Sequence, residues 1–403
     1  MEDRTRMGAS IGDGGANAVE PAQRVVAALV AAVALISAAV VPVRAASIRP
    51  GLVLGASYIQ DYFRNVAGGA RRGGGAPGRI DLSATVNGRL WHGSPTNVFY
   101  MDLLGTIGSS ISGQVGDVQG LDNVEAHNTV KLFGAWYQHA FSSQHVRLRI
   151  GVQDYNAWFD VLDAAGVFVN SSFGLDPTIS QLPVSTFPIT TLGAALRWQS
   201  VDGLYVMGAV YDGRPGLADH PDGTHIALRD GDGVFTAVET GLVSSGAESF
   251  KLALGGWYRS SAYRDPAGRR RHNNGGAYAI GQYRITPQGQ VPAVHVFVQI
   301  GAADSQRNQL DRYIGAGLTA SGLVPQRPHD TFGVGMARAH TGSAYRRNTP
   351  NATAAETALE LTYQAHYGET LVIQPDVQYI IDPGADRRLA NAWVAGVRGQ
   401  YSW

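Results

Sequence analysis

The last thirteen residues, NAWVAGVRGQYSW (391–403), decide the fold more clearly than any other stretch of the chain. In an extended conformation one face carries Trp403, Tyr401, Gly399, Val397, Ala395 and Trp393, and the other carries Ser402, Gln400, Arg398, Gly396 and Val394. Alternation with period two is typical of a β-strand, and aromatic side chains at both ends of the apolar face are typical of a strand in a membrane barrel. The segment is therefore predicted to cross a membrane as a strand.

The same alternation continues upstream, where Leu359 and Leu361 alternate with Glu360 and Thr362. From Ser47 onward it predicts about sixteen strands. Their spans are 51–61, 79–90, 97–107, 129–140, 145–154, 188–199, 203–212, 233–243, 249–258, 276–286, 292–302, 310–321, 329–340, 355–367, 370–381 and 391–403. A soluble sandwich shows the same period with its apolar face inward, so the aromatic ends are what favour lipid outside and a polar lumen inside.

Long and short connections alternate along the predicted strands. Outer-membrane barrels place short turns in the periplasm and long loops outside the cell, and an even strand number brings both termini to the periplasmic side. The sequence therefore predicts an all-β, transmembrane antiparallel β-barrel over residues 47–403 in the bacterial outer membrane. Trp403 resembles the terminal aromatic residue that the barrel assembly machinery reads, which implies that machinery and outer-membrane lipid as partners.

The first 46 residues have the order of a secretory signal peptide. An apolar run, Val25–Val41, follows Arg24, and small residues at Ala45 and Ala46 suit cleavage. The alternative is an uncleaved membrane anchor. No later segment approaches the ~18 apolar residues that a transmembrane helix needs.

Composition and motifs exclude several function classes. The 403 residues carry no formal net charge and no cysteine, which argues against nucleic acid as a partner and against disulfides or thiolate metal sites. No H-E-x-x-H motif occurs, and the predicted barrel region 47–403 has no G-x-S-x-G elbow, so no enzyme activity, metal or cofactor is predicted. An outer-membrane barrel hydrolase remains a distant alternative, and it would need a lipid-facing Ser–His pair that the sequence does not offer.

Several segments carry a family resemblance in their order and spacing. They are DLLG (102–105), GDVQG (116–120), RIG (149–151), Asp154, WFD (158–160), GVFVNSSFG (166–174), STFP (185–188), LRW (196–198), VYDG (210–213), GTH (223–225), ELTY (360–363), QPD (374–376) and QYII (378–381). Together they resemble the carbohydrate-selective porins, the OprB-like family. The resemblance implies a sixteen-stranded barrel and passive uptake of glucose-like sugars. A porin for organic acids or other small solutes, or a general diffusion pore, stays open as an alternative.

Candidate solute contacts follow from the predicted facing of each strand. Arg147, Arg149 and Arg197 alternate with apolar neighbours and are expected to point into the lumen, where a planar guanidinium can bridge sugar hydroxyls. Other side chains expected to face inward are Glu239, Lys251, Glu360, Gln374, Asp376 and Gln378. Glu239 and Lys251 are expected almost directly opposite each other on neighbouring strands. The alternative is that these groups form ion pairs holding the barrel wall.

The connection 155–187 is too long for a bare link and is predicted to fold into the lumen as a constriction loop. Its aromatic side chains Trp158, Phe168 and Phe173 would offer stacking faces to a sugar. Asp160, Asp163 and Asn170 would be their polar partners. The alternative is that the aromatic residues pin the loop to the wall.

Overall fold

The computed structural model describes residues 47–91, 93–141, 145–216, 223–224, 226, 228–244 and 249–403. The predicted signal peptide, residues 1–46, lies outside these ranges, as do residues 142–144 of one predicted turn and His225. The domain boundary at residue 46 thus stays a prediction.

Sixteen long strands close into one antiparallel barrel, as the sequence predicts. They are β1 (Leu52–Gly69), β2 (Gly78–Asn87), β3 (Val98–Ile107), β4 (Thr129–Ala140), β5 (Val146–Gln153), β6 (Thr191–Gln199), β7 (Leu204–Asp212), β8 (Val234–Ser244), β9 (Phe250–Arg259), β10 (Asn274–Arg284), β11 (Ala293–Ala303), β12 (Leu310–Ser321), β13 (Thr331–Thr341), β14 (Ala355–Tyr367), β15 (Leu371–Ile381) and β16 (Ala390–Ser402). Each strand pairs with its neighbour in chain order. The barrel closes where β16 pairs with β1, with Ser402 opposite Ser57.

The two faces of the wall differ as the alternation predicts. On β16, Trp393 is 49 % exposed and points outward, whereas Val394 is fully buried. On β14, Leu359 and Leu361 are exposed while Glu360 between them is buried. An apolar outside suits lipid, and a charged group on that face near the membrane centre would cost about 2–4 kcal/mol.

Short elements lie at the ends of the barrel. The described residues include three α-helices of one or two turns in loops: α1 (Ser112–Val115), α2 (Pro177–Ser180) and α3 (Ser343–Asn348). Two short strands, Ser47–Arg49 and Gly73–Gly75, extend the wall, and Tyr263–Arg264 pairs with Arg270–Arg271 in a small hairpin. Among the described residues, no helix is long and apolar enough to cross a membrane.

The connections separate the barrel into two ends. The connections after the odd-numbered strands, including 108–128, 154–190 and 260–273, lie at one end of the barrel, named here the loop end. The connections after the even-numbered strands lie at the other, the turn end, which also carries the start of β1 and the end of β16. The connection after β11, which is short for the loop end, is a compact turn in which the backbone N–H of Asn308 donates to the carbonyl of Asp304. Two of the loop-end segments fold back into the barrel.

Candidate functional site

The segment 154–190, named here the inner loop, packs inside the barrel. Its residues Tyr155, Phe159, Phe168 and Phe173 are at most 2 % exposed. Tyr155 packs edge-on against Phe235 of the wall with ring centroids 5.2 Å apart, and Phe168 and Phe173 contact each other and Phe297. Burying aromatic rings against a wall is strongly stabilising, so the loop has a fixed place in the lumen.

Polar side chains of the opposite wall then bind the backbone of the inner loop. Glu360 accepts from the backbone N–H of Val169 at 2.6 Å and of Asn170 at 3.0 Å. Glu239 accepts from the N–H of Asp160 at 2.9 Å. The other contacts of this kind are Lys251 to the Val161 carbonyl, Gln282 to the Ala164 N–H, Gln299 to the Phe173 carbonyl, Tyr313 to the Ser172 carbonyl and Gln374 to the Val167 carbonyl. Buried backbone groups need hydrogen-bond partners. In the strands the neighbouring strand provides them, and in the inner loop these wall side chains do.

Two glycines let the loop approach the wall this closely. A Cβ on Gly335 of β13 would lie within 3.0 Å of the rings of both Phe168 and Phe173. A Cβ on Gly301 of β11 would overlap the carboxylate of Asp176. Because glycine has no side chain, these two positions leave the space on the wall that the loop occupies.

A second segment, 108–128, also folds inward, which the sequence reasoning did not predict. Glu356 of β14 accepts from the backbone N–H groups of Val118 and Gln119, at 2.9 and 3.1 Å. The N–H of Asn123 donates to the carbonyl of Val169, joining the two loops. Arg398 adds a buried ion pair to Asp122. The sequence does contain the residues involved, the GDVQG motif (116–120) and the inward-facing Arg398. Neither of them shows that segment 108–128 folds into the barrel and contacts the last strand.

The wall formed by β2 to β7 carries arginine and aromatic side chains. The Arg149 guanidinium lies between two indole rings, 3.9 Å from the Trp136 centroid on the wall and 4.6 Å from the Trp158 centroid on the inner loop. Arg197 lies over Tyr205 at 4.7 Å, and Arg147 is directly opposite Arg197 in the β5–β6 register. We call Arg147, Arg149 and Arg197 the arginine wall.

Nearer the loop end of the same wall lies a fourth arginine that sequence reasoning missed. Arg79 of β2 forms an ion pair with Asp81 at 2.8 Å and lies 4.8 Å from the Phe187 ring centroid. Its signal was present, since Arg79 and Asp81 alternate with Ile80 and Leu82.

The predicted candidates divide into two sets by exposure. Arg147 and Asp163 are exposed, and Arg149, Arg197, Trp158 and Lys251 are partly exposed. The other candidates are at most 2 % exposed: Asp160, Asn170, Phe173, Glu239, Glu360, Gln374, Asp376 and Gln378. The expectation that this second set lines open lumen is wrong for this structure, because the two inward-folded segments cover it. Phe168 is buried in the same way.

Glu239 and Lys251 meet, but not in the register expected from the sequence. Glu239 is opposite Gly255, and Lys251 is opposite Val243. Their side chains reach diagonally, with Lys251 Nζ 3.7 Å from Glu239 Oε1. The expected strands placed the connection at 244–248, whereas β8 ends at Ser244 and β9 begins at Phe250, so the connection lies one residue later than expected and the register shifts. Glu239 also accepts hydrogen bonds from the hydroxyls of Tyr205 and Tyr278, each at 2.7 Å.

Burial raises the pKa of three carboxyl groups in the inner loop. Burial raises the pKa of Asp154 to about 6 and that of Asp176 to about 7. The pKa of Asp160 is raised by burial and further by the nearby Asp176 carboxylate. These carboxyl groups therefore take up protons at a higher pH than exposed aspartates do, so the loop loses negative charge earlier as the pH falls.

This architecture, a closed sixteen-stranded barrel with loops folded into its lumen, defines a porin-type channel of the bacterial outer membrane. The chain belongs to the carbohydrate-selective porin, OprB family, whose family model matches residues 98–402. The resemblance predicted from the sequence motifs is thereby confirmed.

Individual relatives are distant. The chain is 23 % identical to Porin B of Pseudomonas aeruginosa over 252 residues, which are 53 % of this chain and 55 % of that protein. It thus spans about half the length of that curated relative. The high-pH structure of Pseudomonas putida OprB superposes with a TM-score of 0.76 at 17 % identity, covering 88 % of this chain and 94 % of that one. The Acinetobacter baumannii channel DcaP superposes with a TM-score of 0.56 at 8 % identity, covering 88 % and 98 %. At these identities the superpositions show the fold alone.

Proposed function

We propose that this protein lets small neutral sugars diffuse passively across the outer membrane, along a path between the arginine wall and the inner loop. Transport of this kind needs no catalytic group, metal or cofactor, and we assign none. The family match supports the sugar class, and the barrel interior supports a weak binding site for such a solute.

The observation that carries the proposal is the position of Arg149. Its guanidinium lies between Trp136 and Trp158, and its Nη2 donates to Gln138 Oε1 at 3.2 Å. Contact with two indole rings restrains the planar group, which lowers the entropy lost when its donors meet hydroxyls. A sugar has polar edges and weakly apolar faces, and this arrangement presents matching donors and rings together.

The position of Arg147 opposite Arg197 also supports sugar contact at the arginine wall. Two like charges directly opposite on neighbouring strands destabilise a sheet. Arg147 is exposed, and Arg197 is partly exposed beside the Tyr205 ring. The pair therefore keeps donors available for a passing solute. Binding must remain weak, because a solute held tightly cannot leave a diffusion channel.

The buried candidates take a different role in this proposal. Glu239, Glu360 and Gln374 hold the inner loop, while Asp376 accepts from Gln378 Nε2 at 3.1 Å. Gln378 in turn donates to the Leu121 carbonyl of the second loop and accepts from Asn170. We therefore place solute contacts at the arginine wall, Trp158 and Asp163, and constriction of the lumen at the loop 155–187.

A channel for organic acids is the second candidate, because the arginine wall also suits a carboxylate. Liposome swelling separates the two. Proteoliposomes with the wild-type protein should admit glucose faster than an uncharged non-sugar of similar size. Arg147→Ala, Arg149→Ala and Arg197→Ala should each lower that ratio, and Arg388→Ala, at an exposed loop position paired with Asp386, should not. If all three variants keep the wild-type ratio, the arginines do not select sugars, and a preference for an organic acid over glucose would favour the second candidate.

Orientation and assembly complete the proposal. We infer that both termini lie on the periplasmic side and that the long loops face the outside of the cell. We also infer that the assembly machinery recognises Trp403. Trp403 exchanges backbone hydrogen bonds with Ala56 of β1, at 3.0 and 3.1 Å, so the residue also joins the last strand to the first. Protease accessibility of tags inserted at Gly268 and Gly368, at opposite ends of the barrel, tests the orientation. Cleavage of the Gly368 tag on intact cells would contradict it.

A further inference from the structure

A cavity of about 650 Å³ lies at the loop end of the barrel, apart from the arginine wall. We call it the mouth cavity. It is bounded by the end of the inner loop at Pro183 and Ile189, by residues 214–216 and 231–232 after β7, and by the end of β9 with the hairpin that follows. Four of its lining residues are arginines: Arg214, Arg259, Arg264 and Arg270.

Arg259 is the least explained of the four. It alternates with outward-facing Tyr258 at the end of β9 and is 3 % exposed. Its Nη2 donates to the carbonyl of Gly213 at 3.0 Å, whereas Nε and Nη1 have no hydrogen-bond partner among the described residues. A buried charged group with two unused donors is costly, so it requires an explanation in a native protein.

The other arginines of the cavity are also poorly neutralised. Arg214 is 57 % exposed and lies 3.9 Å from Asp232, the one carboxylate among the described lining residues. Arg264 donates to a backbone carbonyl, that of Gly268. Arg270 makes no ion pair with a described residue, although its neighbour Arg271 pairs with Asp265 at 3.0 Å. Among its described lining residues, the cavity therefore carries more positive than negative charge.

We propose that the mouth cavity binds a small soluble anion and that its arginines contact the carboxylate or phosphate group of that anion. Guanidinium groups form their strongest hydrogen bonds with these oxyanions, and Arg259 has two donors to give. A lipid phosphate has the same chemistry. The inward facing of Arg259 and the contribution of the inner loop place the cavity toward the lumen, and this favours a solute over a lipid headgroup. The site would gather anionic solutes, such as acidic sugars, above the constriction.

The test is equilibrium binding of inorganic phosphate and of glucuronate to the full-length protein in detergent, measured by calorimetry at low salt. Both anions should bind saturably, and glucose should not displace them. Arg259→Met and Arg270→Gln should each weaken binding by about ten-fold or more, the effect of removing a charge-assisted contact. Arg387→Gln changes an exposed arginine of the loop end outside the cavity and should leave the affinity unchanged.

The variants also separate the alternatives. Arg270 is exposed, so Arg270→Gln keeps the test valid if Arg259→Met fails to fold, which heat-modifiable migration on gels would reveal. Absence of saturable binding to the wild-type protein would overturn the proposal, as would equal affinity in the control and both cavity variants. Binding of purified lipopolysaccharide that depends on Arg259 and Arg270, without binding of the free anions, would overturn it in favour of a lipid site. Calorimetry does not measure sugar permeation, so failure of this test leaves the sugar pathway standing.

Discussion

Glu360 offers the sharpest test of how the inner loop is held. Its carboxylate is 2 % exposed and accepts from the backbone N–H groups of Val169 and Asn170, which have no strand partner. Glu360→Ala removes the acceptor for both donors at once. Each buried donor left unsatisfied costs about 1–3 kcal/mol, so the local stability of this part of the loop should fall by about 2–6 kcal/mol.

Hydrogen–deuterium exchange measures this loss directly. Since 1.4 kcal/mol corresponds to a factor of ten, amides in a peptide covering 166–174 should exchange at least about thirty-fold faster in the variant. The barrel itself should stay folded, because β14 keeps its pairing with both neighbours. Single-channel recordings should show larger current fluctuations as the loop opens.

Glu125→Ala is the matched control. That carboxylate also accepts from two backbone N–H groups, those of Ile111 and Ser112, but in the second loop. The control should speed exchange around residue 111 and leave 166–174 near the wild-type rate. Wild-type protection of 166–174 in Glu360→Ala would refute the idea that wall carboxylates hold the inner loop.

Three further predictions concern assembly, coupling and pH. Trp403→Asp should reduce the heat-modifiable, outer-membrane form more than total expression, and recovery of the wild-type protein in the soluble periplasm would contradict the barrel in the membrane. A double-mutant cycle with Glu239→Gln and Lys251→Met should show coupling of about 0.5–3 kcal/mol in thermal unfolding, and strictly additive effects would mean that the diagonal pair does not form. At the β12–β13 turn, burial would raise the pKa of Asp330, but hydrogen bonds from Arg327, Tyr363 and the backbone N–H of His366 outweigh it and lower the pKa to about 2. Its stabilising effect is therefore present above about pH 4 and lost as the pH falls toward 2, so Asp330→Asn should flatten the fall of unfolding temperature over that range.

The residues that alternate along each strand can be placed from the sequence because of local geometry. Side chains i and i+2 share a face whatever the rest of the chain does, so the alternation alone assigns Trp393, Val397 and Arg398 to their correct faces. Sixteen strands and long loops at one end follow from the same local pattern and its interruptions. The family resemblance is also readable, because it lies in residue order alone.

Contacts between distant segments depend on where the loops pack, and the period-two alternation of the strands carries no information about loop packing. The alternation puts Glu360 inside the barrel, but only the folded inner loop, 190 residues earlier in the chain, decides that it is covered and bound to backbone rather than open to a solute. The same holds for Arg149, whose second indole, Trp158, comes from that loop. The sequence by itself determined the barrel, the two faces of its wall and its family. The tertiary structure decided which inward side chains remain open to the lumen, since a side chain's exposure depends on every segment that packs against it.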